Sequence, residues 1–229
     1  MRALSTTELL SVWERGIGQP PVQRALTLLA AANPESSPVA LANLSIGQRD
    51  ARLIALRELT FGAEFTGLVN CPACDEKMEL TFNAADLRPE NETELPGEFD
   101  LQMEGHHLRF RLPTSADLLA VNHREQLLDR CLSNGRAELP EPIIAAVIET
   151  MSRADPLADI QLTLRCASCG HQWAAPFDIG AFFWTELNAI ARGLLREIHA
   201  LASAYGWTEA EILALSPARR RCYLEMVNE

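Results

Sequence analysis

Two short cysteine motifs contain the residues of this sequence best suited to metal chemistry. Cys71 and Cys74 form one Cys-x-x-Cys pair, and Cys166 and Cys169 form a second pair far along the chain. Each two-residue gap lets a tight turn direct both sulfurs at one ion, and four thiolates complete a tetrahedral site. We therefore predict one structural Zn²⁺ bound by these four cysteines. Four protein ligands leave no coordination position for a catalytic water.

Other uses of the cysteines stay open at the level of sequence. A single Cys-x-x-Cys pair could be a redox-active dithiol, and in a secreted chain the cysteines could form a disulfide framework. His171 follows Cys169 closely and could replace a ligand or lie beside the metal. Cys131 and Cys222 stand alone in helical patterns, so we expect them to be buried free thiols.

The segments around the two motifs predict the same local structure twice. Runs rich in β-forming residues flank each motif, so each motif is expected at the tip of a β-hairpin. These runs are residues 64–70 and 78–82 around the first motif, and residues 160–165 and 172–177 around the second. We interpret the two motifs as the halves of a split zinc ribbon.

A constant offset in residue number relates the two halves. It aligns Cys71 with Cys166 and Cys74 with Cys169. It also aligns four further pairs: Met78 with Trp173, Phe82 with Phe177, Asn83 with Asp178, and Leu87 with Phe182. Because asparagine and aspartate are good helix N-caps, each half is predicted to continue into a helix.

The rest of the chain has mostly helical patterns. We predict an α+β fold, mostly helical, with the two β-hairpin zinc knuckles and one further β-hairpin that turns at Glu104-Gly105. Residues 1–38 are predicted to form an N-terminal helical arm, and residues 39–229 a body that contains the zinc ribbon and the C-terminal helices. An acidic, proline-bearing loop is expected from Arg88 to Pro96.

Two helices of the body carry more detailed expectations. One runs from Gly47 to Phe61, with an apolar face and a charged, solvated face. The residues assigned to the apolar face are Ala51, Ile54, Ala55 and Leu59, and those assigned to the charged face are Arg49, Asp50, Arg52, Arg57 and Glu58. A second, single helix is expected from the cap at Thr114 through Leu132, with Asn134-Gly135 ending it.

Composition and charge limit the classes of function. The net charge is −11, and an acidic surface disfavours broad contact with nucleic acid. The basic run Arg219-Arg220-Arg221 is expected at the end of the last helix, where cations suit the helix dipole. No apolar run reaches membrane-spanning length, and the first residues lack the pattern of a signal peptide. We therefore expect no membrane partner and a cytoplasmic protein.

No catalytic motif is found in the sequence. It has no Gly-rich phosphate loop, no Gly-x-Ser-x-Gly motif and no His-Glu-x-x-His motif. The five histidines are scattered. We therefore expect a protein that is not an enzyme.

Three segments outside the cysteine motifs carry a resemblance to a known family. They are residues 44–62, beginning Leu44-Ser45-Ile46-Gly47-Gln48-Arg49-Asp50; residues 112–119, Leu112-Pro113-Thr114-Ser115-Ala116-Asp117-Leu118-Leu119; and residues 205–217 with Arg219-Arg220 and Tyr223-Leu224. From Leu44 onward the chain resembles the baseplate hub assembly chaperones of T-even-type contractile phage tails, in the branch found beside contractile injection systems.

The resemblance implies a non-enzymatic protein that helps to assemble the baseplate hub. It implies hub or tail proteins as partners, and a location in the bacterial cytoplasm or in a phage tail or injection particle. The wide apolar face around Phe182, Phe183, Trp184 and Leu187 is the candidate binding surface, but plain core packing is the favoured interpretation of these positions. A permanent structural baseplate subunit and a zinc-ribbon nucleic-acid regulator are the other functional hypotheses.

Overall fold

The computed structural model describes residues 1–88, 96–133, 135 and 139–227. Most of the acidic loop predicted from Arg88 to Pro96 lies outside the described residues. Asn134, one of the two residues predicted to end a helix, also lies outside them.

The described residues form α-helices and three antiparallel two-stranded hairpins, which confirms the predicted α+β, mostly helical fold. The helices are α1 Thr6–Gly16, α2 Pro21–Ala32, α3 Pro38–Ala42, α4 Ile46–Phe61, α5 Ser115–Ala120, α6 Arg124–Cys131, α7 Glu141–Ala154, α8 Ile179–Tyr205, α9 Glu209–Ala214 and α10 Pro217–Val227. The strands are β1 Glu64–Asn70, β2 Lys77–Asn83, β3 Phe99–Met103, β4 His106–Phe110, β5 Ile160–Arg165 and β6 Gln172–Phe177.

Local sequence signals set many of these boundaries. Ser5 and Thr208 each accept a hydrogen bond from the backbone N–H three residues on, and the glutamate at that position bonds back to the cap. These reciprocal bonds satisfy backbone donors that a helix start otherwise leaves unpaired. Glu104 and Gly105 both have positive φ, as a tight hairpin turn between β3 and β4 requires.

The main core lies between α1, α2, α4 and α8, with the two cysteine-bearing hairpins at its edge. Leu28, Leu53, Leu56 and Phe183 are completely buried in it. The helices of the predicted N-terminal arm therefore pack on the body of the same chain. The division of the chain at residue 38 stays a prediction.

Helix α4 buries a wider arc than the predicted apolar face, of which Ile54 is buried. Leu53 and Leu56 are fully buried, whereas Leu59 is 54% exposed. Arg57 and the Arg49–Asp50 ion pair are also buried. The prediction failed because it assigned every charged residue to solvent, while these charges have partners that offset the cost of burial.

The predicted single helix after Thr114 is two helices, α5 and α6. Val121 has an extended backbone, and the Asn122 N–H donates to the side chain of Gln126 at 3.2 Å instead of continuing a helix. The described helix ends at Cys131. The apolar spacing continues across the break, which explains why periodicity alone predicted one element.

A buried aspartate ties α5 to its neighbours. The Asp117 carboxylate caps α5 with Thr114 and accepts hydrogen bonds from Arg111 at 2.6 and 2.9 Å and from Arg130 at 2.9 Å. Burial alone would raise the pKa of Asp117, but the bonds from Arg111, Thr114 and Arg130 hold it well below its usual range. This network joins β4, α5 and α6.

The expected binding surface on α8 belongs to the core. Phe183 and Leu187 have no exposed area, and Trp184 packs over Gly16 at the end of α1. The Arg24 guanidinium lies 4.5 Å from the Trp184 ring centroid. The structure therefore confirms the core packing that was favoured for these positions over an exposed binding face, because the N-terminal helices cover this part of α8.

The C-terminal helices correct two further expectations. The three arginines at 219–221 lie in the first half of α10, not at its C-terminal end. Arg220 is buried and donates to Glu197 of α8 and to the Leu215 carbonyl. Of the two separate cysteines, Cys131 is buried as predicted, and burial raises its pKa to about 11, whereas Cys222 is exposed.

Candidate metal centre

The two cysteine motifs lie at the tips of the two predicted hairpins. In the first hairpin Val69 pairs with Met78, and in the second Leu164 pairs with Trp173. These are equivalent positions under the sequence offset. Each hairpin therefore presents its cysteines from the same register.

The turns at the two tips share the same backbone hydrogen bonds. In the first knuckle, Cys71 N donates to the Glu76 carbonyl, and Asp75 N donates to the Cys71 carbonyl, each at 2.9 Å. In the second, Cys166 N donates to the His171 carbonyl at 2.8 Å, and Gly170 N donates to the Cys166 carbonyl at 3.0 Å. The offset that aligns the sequences thus also aligns the turns.

One position in each turn has a left-handed backbone. Asp75 has φ of 59°, and the equivalent Gly170 has φ of 75°. Glycine adopts this conformation freely, whereas other residues pay a steric cost. The Asn70 side chain donates to the Asp75 carboxylate at 3.0 Å, which helps to hold the first turn.

The folded chain brings the four cysteine sulfurs into one cluster. Cys71 Sγ lies 3.7 Å from Cys169 Sγ, and Cys74 Sγ lies 3.6 Å from Cys166 Sγ. All four sulfurs lie within 4.8 Å of one another. For metal–sulfur bonds of about 2.3 Å, the sulfurs of a tetrahedron lie about 3.8 Å apart. The cluster therefore has the dimensions to hold a metal ion.

Each knuckle contributes one buried and one exposed cysteine to the cluster. Cys71 and Cys166 are each 1% exposed, whereas Cys74 and Cys169 face the solvent. The arrangement has an approximate twofold symmetry, because the contact from Cys71 to Cys169 is the counterpart of that from Cys166 to Cys74. Such a site is closed on the protein side and open at the surface.

The pKa values of the thiols show why the cluster favours a cation. Hydrogen bonds from the backbone N–H groups of Cys169 and Ser168 lower the pKa of Cys166 to about 7. The backbone bond with Glu76 lowers the pKa of Cys74, but the crowded neighbouring sulfurs raise it to about 12. Four thiolates this close repel one another, so a bound cation is what would allow all four to be charged.

The opposite ends of the hairpins are joined by a cluster of phenylalanines. Phe65 and Phe82 stack at 5.1 Å between ring centroids, and Phe82 meets Phe177 edge-on at 5.3 Å. Phe182 of α8 contacts Phe65 at 5.3 Å and Phe177 at 5.5 Å. The two hairpins are thus held at the base by aromatic packing and at the tips by the cysteines.

A buried arginine links the helix before the first hairpin to the helix after the second. Arg57 of α4 makes a double ion pair with Glu186 of α8, at 2.9 and 2.6 Å. It also donates to the Gly62 and Glu64 carbonyls, and it lies 4.0 Å from the Phe65 ring centroid. Arg57 therefore fixes the base of the first hairpin relative to α8.

A second link joins the first turn of α4 to the segment before β5. The buried Asp155 carboxylate accepts a hydrogen bond from Gly47 N at 2.9 Å. A Cβ atom at position 47 would lie only 2.0 Å from Asp155 Oδ1, so this close approach requires glycine. The carboxylate also suits the positive end of the α4 dipole.

Part of the chain matches a known protein family. Residues 26–137 match the model of the family described as T4 bacteriophage base plate protein. The match confirms the predicted resemblance to a phage baseplate protein family. Comparison with curated proteins and with solved structures finds no similar chain.

The baseplate family region, residues 26–137, covers just under half of the chain. It starts inside α2, within the predicted arm, and so begins before Leu44, where the resemblance was first placed. It includes the segments at 44–62 and 112–119, but not the one at 205–217. Of the two knuckles it contains only the first.

Some expectations about the site are corrected or completed by the structure. The His171 side chain is exposed and stacks on the Trp173 ring at 5.8 Å, and it is not part of the four-sulfur cluster. Sequence reasoning missed Arg57, Glu186 and Asp155. For Asp155 the signal was Gly47, a glycine in the first turn of an otherwise regular helix.

Within the described residues, no helix is both long enough and apolar enough to cross a membrane.

Proposed function

We propose that this protein is a non-enzymatic assembly chaperone or adaptor for the baseplate hub of a contractile phage tail or a tail-like injection system. It acts by binding other baseplate or tail proteins. The observation that carries the proposal is the match of residues 26–137 to the T4 bacteriophage base plate protein family. The net charge of −11 favours protein partners over nucleic acid.

One structural Zn²⁺ bound by Cys71, Cys74, Cys166 and Cys169 completes the proposal. Tetrahedral sites of four sulfurs are typical of zinc and of iron–sulfur proteins, and zinc is the usual choice where a ribbon needs only a structural ion. The separations of 3.7 and 3.6 Å support a tetrahedral site. With all four positions taken by protein, the ion has no role in catalysis.

The zinc would act by joining parts of the chain that are distant in sequence. Its ligands are 98 and 92 residues apart in the two cross-knuckle pairs. Closing that distance holds α4 and α8 in one arrangement, together with Arg57 and the phenylalanine cluster. A fixed scaffold of this kind presents its surface without an ordering cost when a partner binds.

The experiment that tests the role compares assembled particles with the cytosol of the native host. Quantitative mass spectrometry would measure the protein in both fractions. A chaperone is expected to be present in the cytosol of the bacterial host and absent from the finished particle. A fixed stoichiometry in the particle would instead identify a permanent structural subunit. Strong, salt-dependent DNA binding by the purified protein would favour a nucleic-acid regulator over both.

A further inference from the structure

The sulfur cluster has a feature that metal binding alone does not use. Two sulfur contacts, Cys71 with Cys169 at 3.7 Å and Cys74 with Cys166 at 3.6 Å, each cross from one knuckle to the other. Each of these pairs combines one buried and one exposed cysteine. An oxidant from solvent can therefore reach one sulfur of each pair, while the other lies directly beside it.

We propose that the two knuckles form a redox-sensitive clasp, in which peroxide exchanges the bound metal for two disulfides that cross between the hairpins, Cys71–Cys169 and Cys74–Cys166. The proposal rests on the proposed structural zinc as the reduced form of the clasp. In the oxidised form the hairpins stay joined, because each new bond connects one hairpin to the other.

The chemistry balances with hydrogen peroxide as the oxidant. The exposed thiolate of a pair attacks one peroxide oxygen, giving a sulfenic acid and releasing hydroxide. The thiolate of its buried partner then attacks that sulfur, forming the disulfide and releasing a second hydroxide. Protons from solvent convert both hydroxides to water. One peroxide is consumed for each pair, and the metal dication leaves once its thiolate ligands are gone.

The packing around the knuckles favours this outcome over disulfides within each Cys-x-x-Cys turn. The phenylalanine cluster and the Arg57–Glu186 ion pair hold the hairpin bases together independently of the metal. The tips therefore remain close when the metal leaves. Moreover, the sulfurs of each cross-knuckle pair already lie 3.7 and 3.6 Å apart, so either disulfide can form between neighbouring sulfurs.

The test uses the full chain with Cys222→Ser, which removes an exposed thiol outside the clasp. Its metal content is measured first, and the protein is then titrated with hydrogen peroxide while a chromogenic chelator reports released zinc. Digestion without reducing agent, followed by mass spectrometry with fragmentation of linked peptides, identifies the disulfides. The expected result is full zinc release together with loss of the four ligand thiols to Cys71–Cys169 and Cys74–Cys166.

Several results would overturn the proposal. These are disulfides within the knuckles, Cys71–Cys74 and Cys166–Cys169, or sulfinic acids without disulfides, or zinc that stays bound while the thiols resist peroxide. A protein that is purified without zinc and still forms the cross-knuckle disulfides would refute the proposed zinc but support the sulfur pairing. The two proposals therefore fail in distinguishable ways.

As a second measurement, two double variants each leave only two of the four cysteines of the cluster. Cys71→Ser with Cys169→Ser leaves the contacting pair of Cys74 and Cys166, whereas Cys71→Ser with Cys166→Ser leaves the two exposed cysteines. We expect at least a tenfold faster disulfide formation in the first variant. Equal rates would contradict the assignment of the pairs.

Discussion

The two knuckle halves share their turns but differ in the segments that come after the second strand of each hairpin. After Asn83 the chain makes one short 3-10 helix, Ala84–Leu87, whereas after Asp178 it continues as α8 for 27 residues. The shared part is the register, the turn and the cysteines. This difference teaches that the repeated local sequence fixes the hairpin tips, while packing beyond them decides the rest.

The physical cause of the difference lies in the residues after each cap. Ile179, Phe183 and Leu187 repeat at four-residue intervals and are completely buried, so they keep α8 against the core. In the first half, among the described residues 84–88 that follow Asn83, only Ala84 and Leu87 are buried. The proline after Arg88 disfavours a helical backbone at Arg88, which is extended.

The largest loss of stability is expected when one cysteine of either knuckle is replaced. Cys74→Ser and Cys169→Ser are each expected to abolish stoichiometric zinc and to lower the unfolding free energy by more than about 3 kcal/mol. Because the two positions are equivalent, the losses should be similar. Metal analysis and urea denaturation measure both quantities.

Cys222→Ser is the matched control for these variants, since Cys222 is exposed and lies outside the cluster. Its stability should change by less than about 0.5 kcal/mol. If Cys74→Ser kept full zinc and stability, the four-cysteine site would be wrong.

The next largest loss of stability is expected where Arg57 joins the base of the first hairpin to α8. Arg57→Ala removes the buried partner of a partly buried ion pair and leaves Glu186 and two carbonyls without their donor, so a loss of about 2–4 kcal/mol is expected. Arg52→Ala, in the same helix but exposed, should cost less than about 0.5 kcal/mol. If denaturation curves gave the two variants the same unfolding free energy, Arg57 would have no special role in holding the hairpin base.

A smaller effect tests whether the aromatic cluster treats the halves alike. Equivalent positions are occupied by Phe82 and Phe177, and both rings make aromatic contacts at similar distances. Replacement of either residue by leucine removes those contacts. Each is expected to cost about 1–2 kcal/mol, with similar values. A severalfold difference between them in thermal or urea unfolding would show that the symmetry of the halves ends at the turns.

The smallest change in stability is expected at the left-handed turn position of the first knuckle, Asp75, which is compared with the equivalent Gly170. Gly170→Ala should cost about 1–2 kcal/mol, because alanine resists positive φ. Asp75→Gly should change stability by less than about 0.5 kcal/mol, since relief of the same strain offsets loss of the bond to Asn70. Calorimetry measures the stability of both variants. A large loss of stability in Asp75→Gly would show that the bond between Asp75 and Asn70, rather than the backbone strain, decides the stability of the first turn.

Sequence patterns predicted those parts of the fold that depend on neighbouring residues. Cysteine spacing, alternating strands and cap residues located both knuckles, the third hairpin and the start of α8. The offset between the halves even predicted which residues occupy equivalent places in the turns.

The failures involve partners that are distant in sequence. Arg57 was assigned to solvent because its partner Glu186 lies 129 residues away. Core packing was favoured for the face of α8 around Phe183 and Leu187, but nothing in its own pattern shows that α1 and α2 are the elements that cover it. The break between α5 and α6 was missed because the Asn122 bond to Gln126 is not visible in apolar spacing.

The most direct test of the central claim is the metal content of the freshly purified full chain, measured by elemental analysis with a parallel count of free thiols. We predict about one zinc per chain and, after chelation, an unfolding free energy lower by more than about 3 kcal/mol together with four additional reactive thiols. A metal-free chain that is fully folded, with Cys71, Cys74, Cys166 and Cys169 all free, would contradict the account.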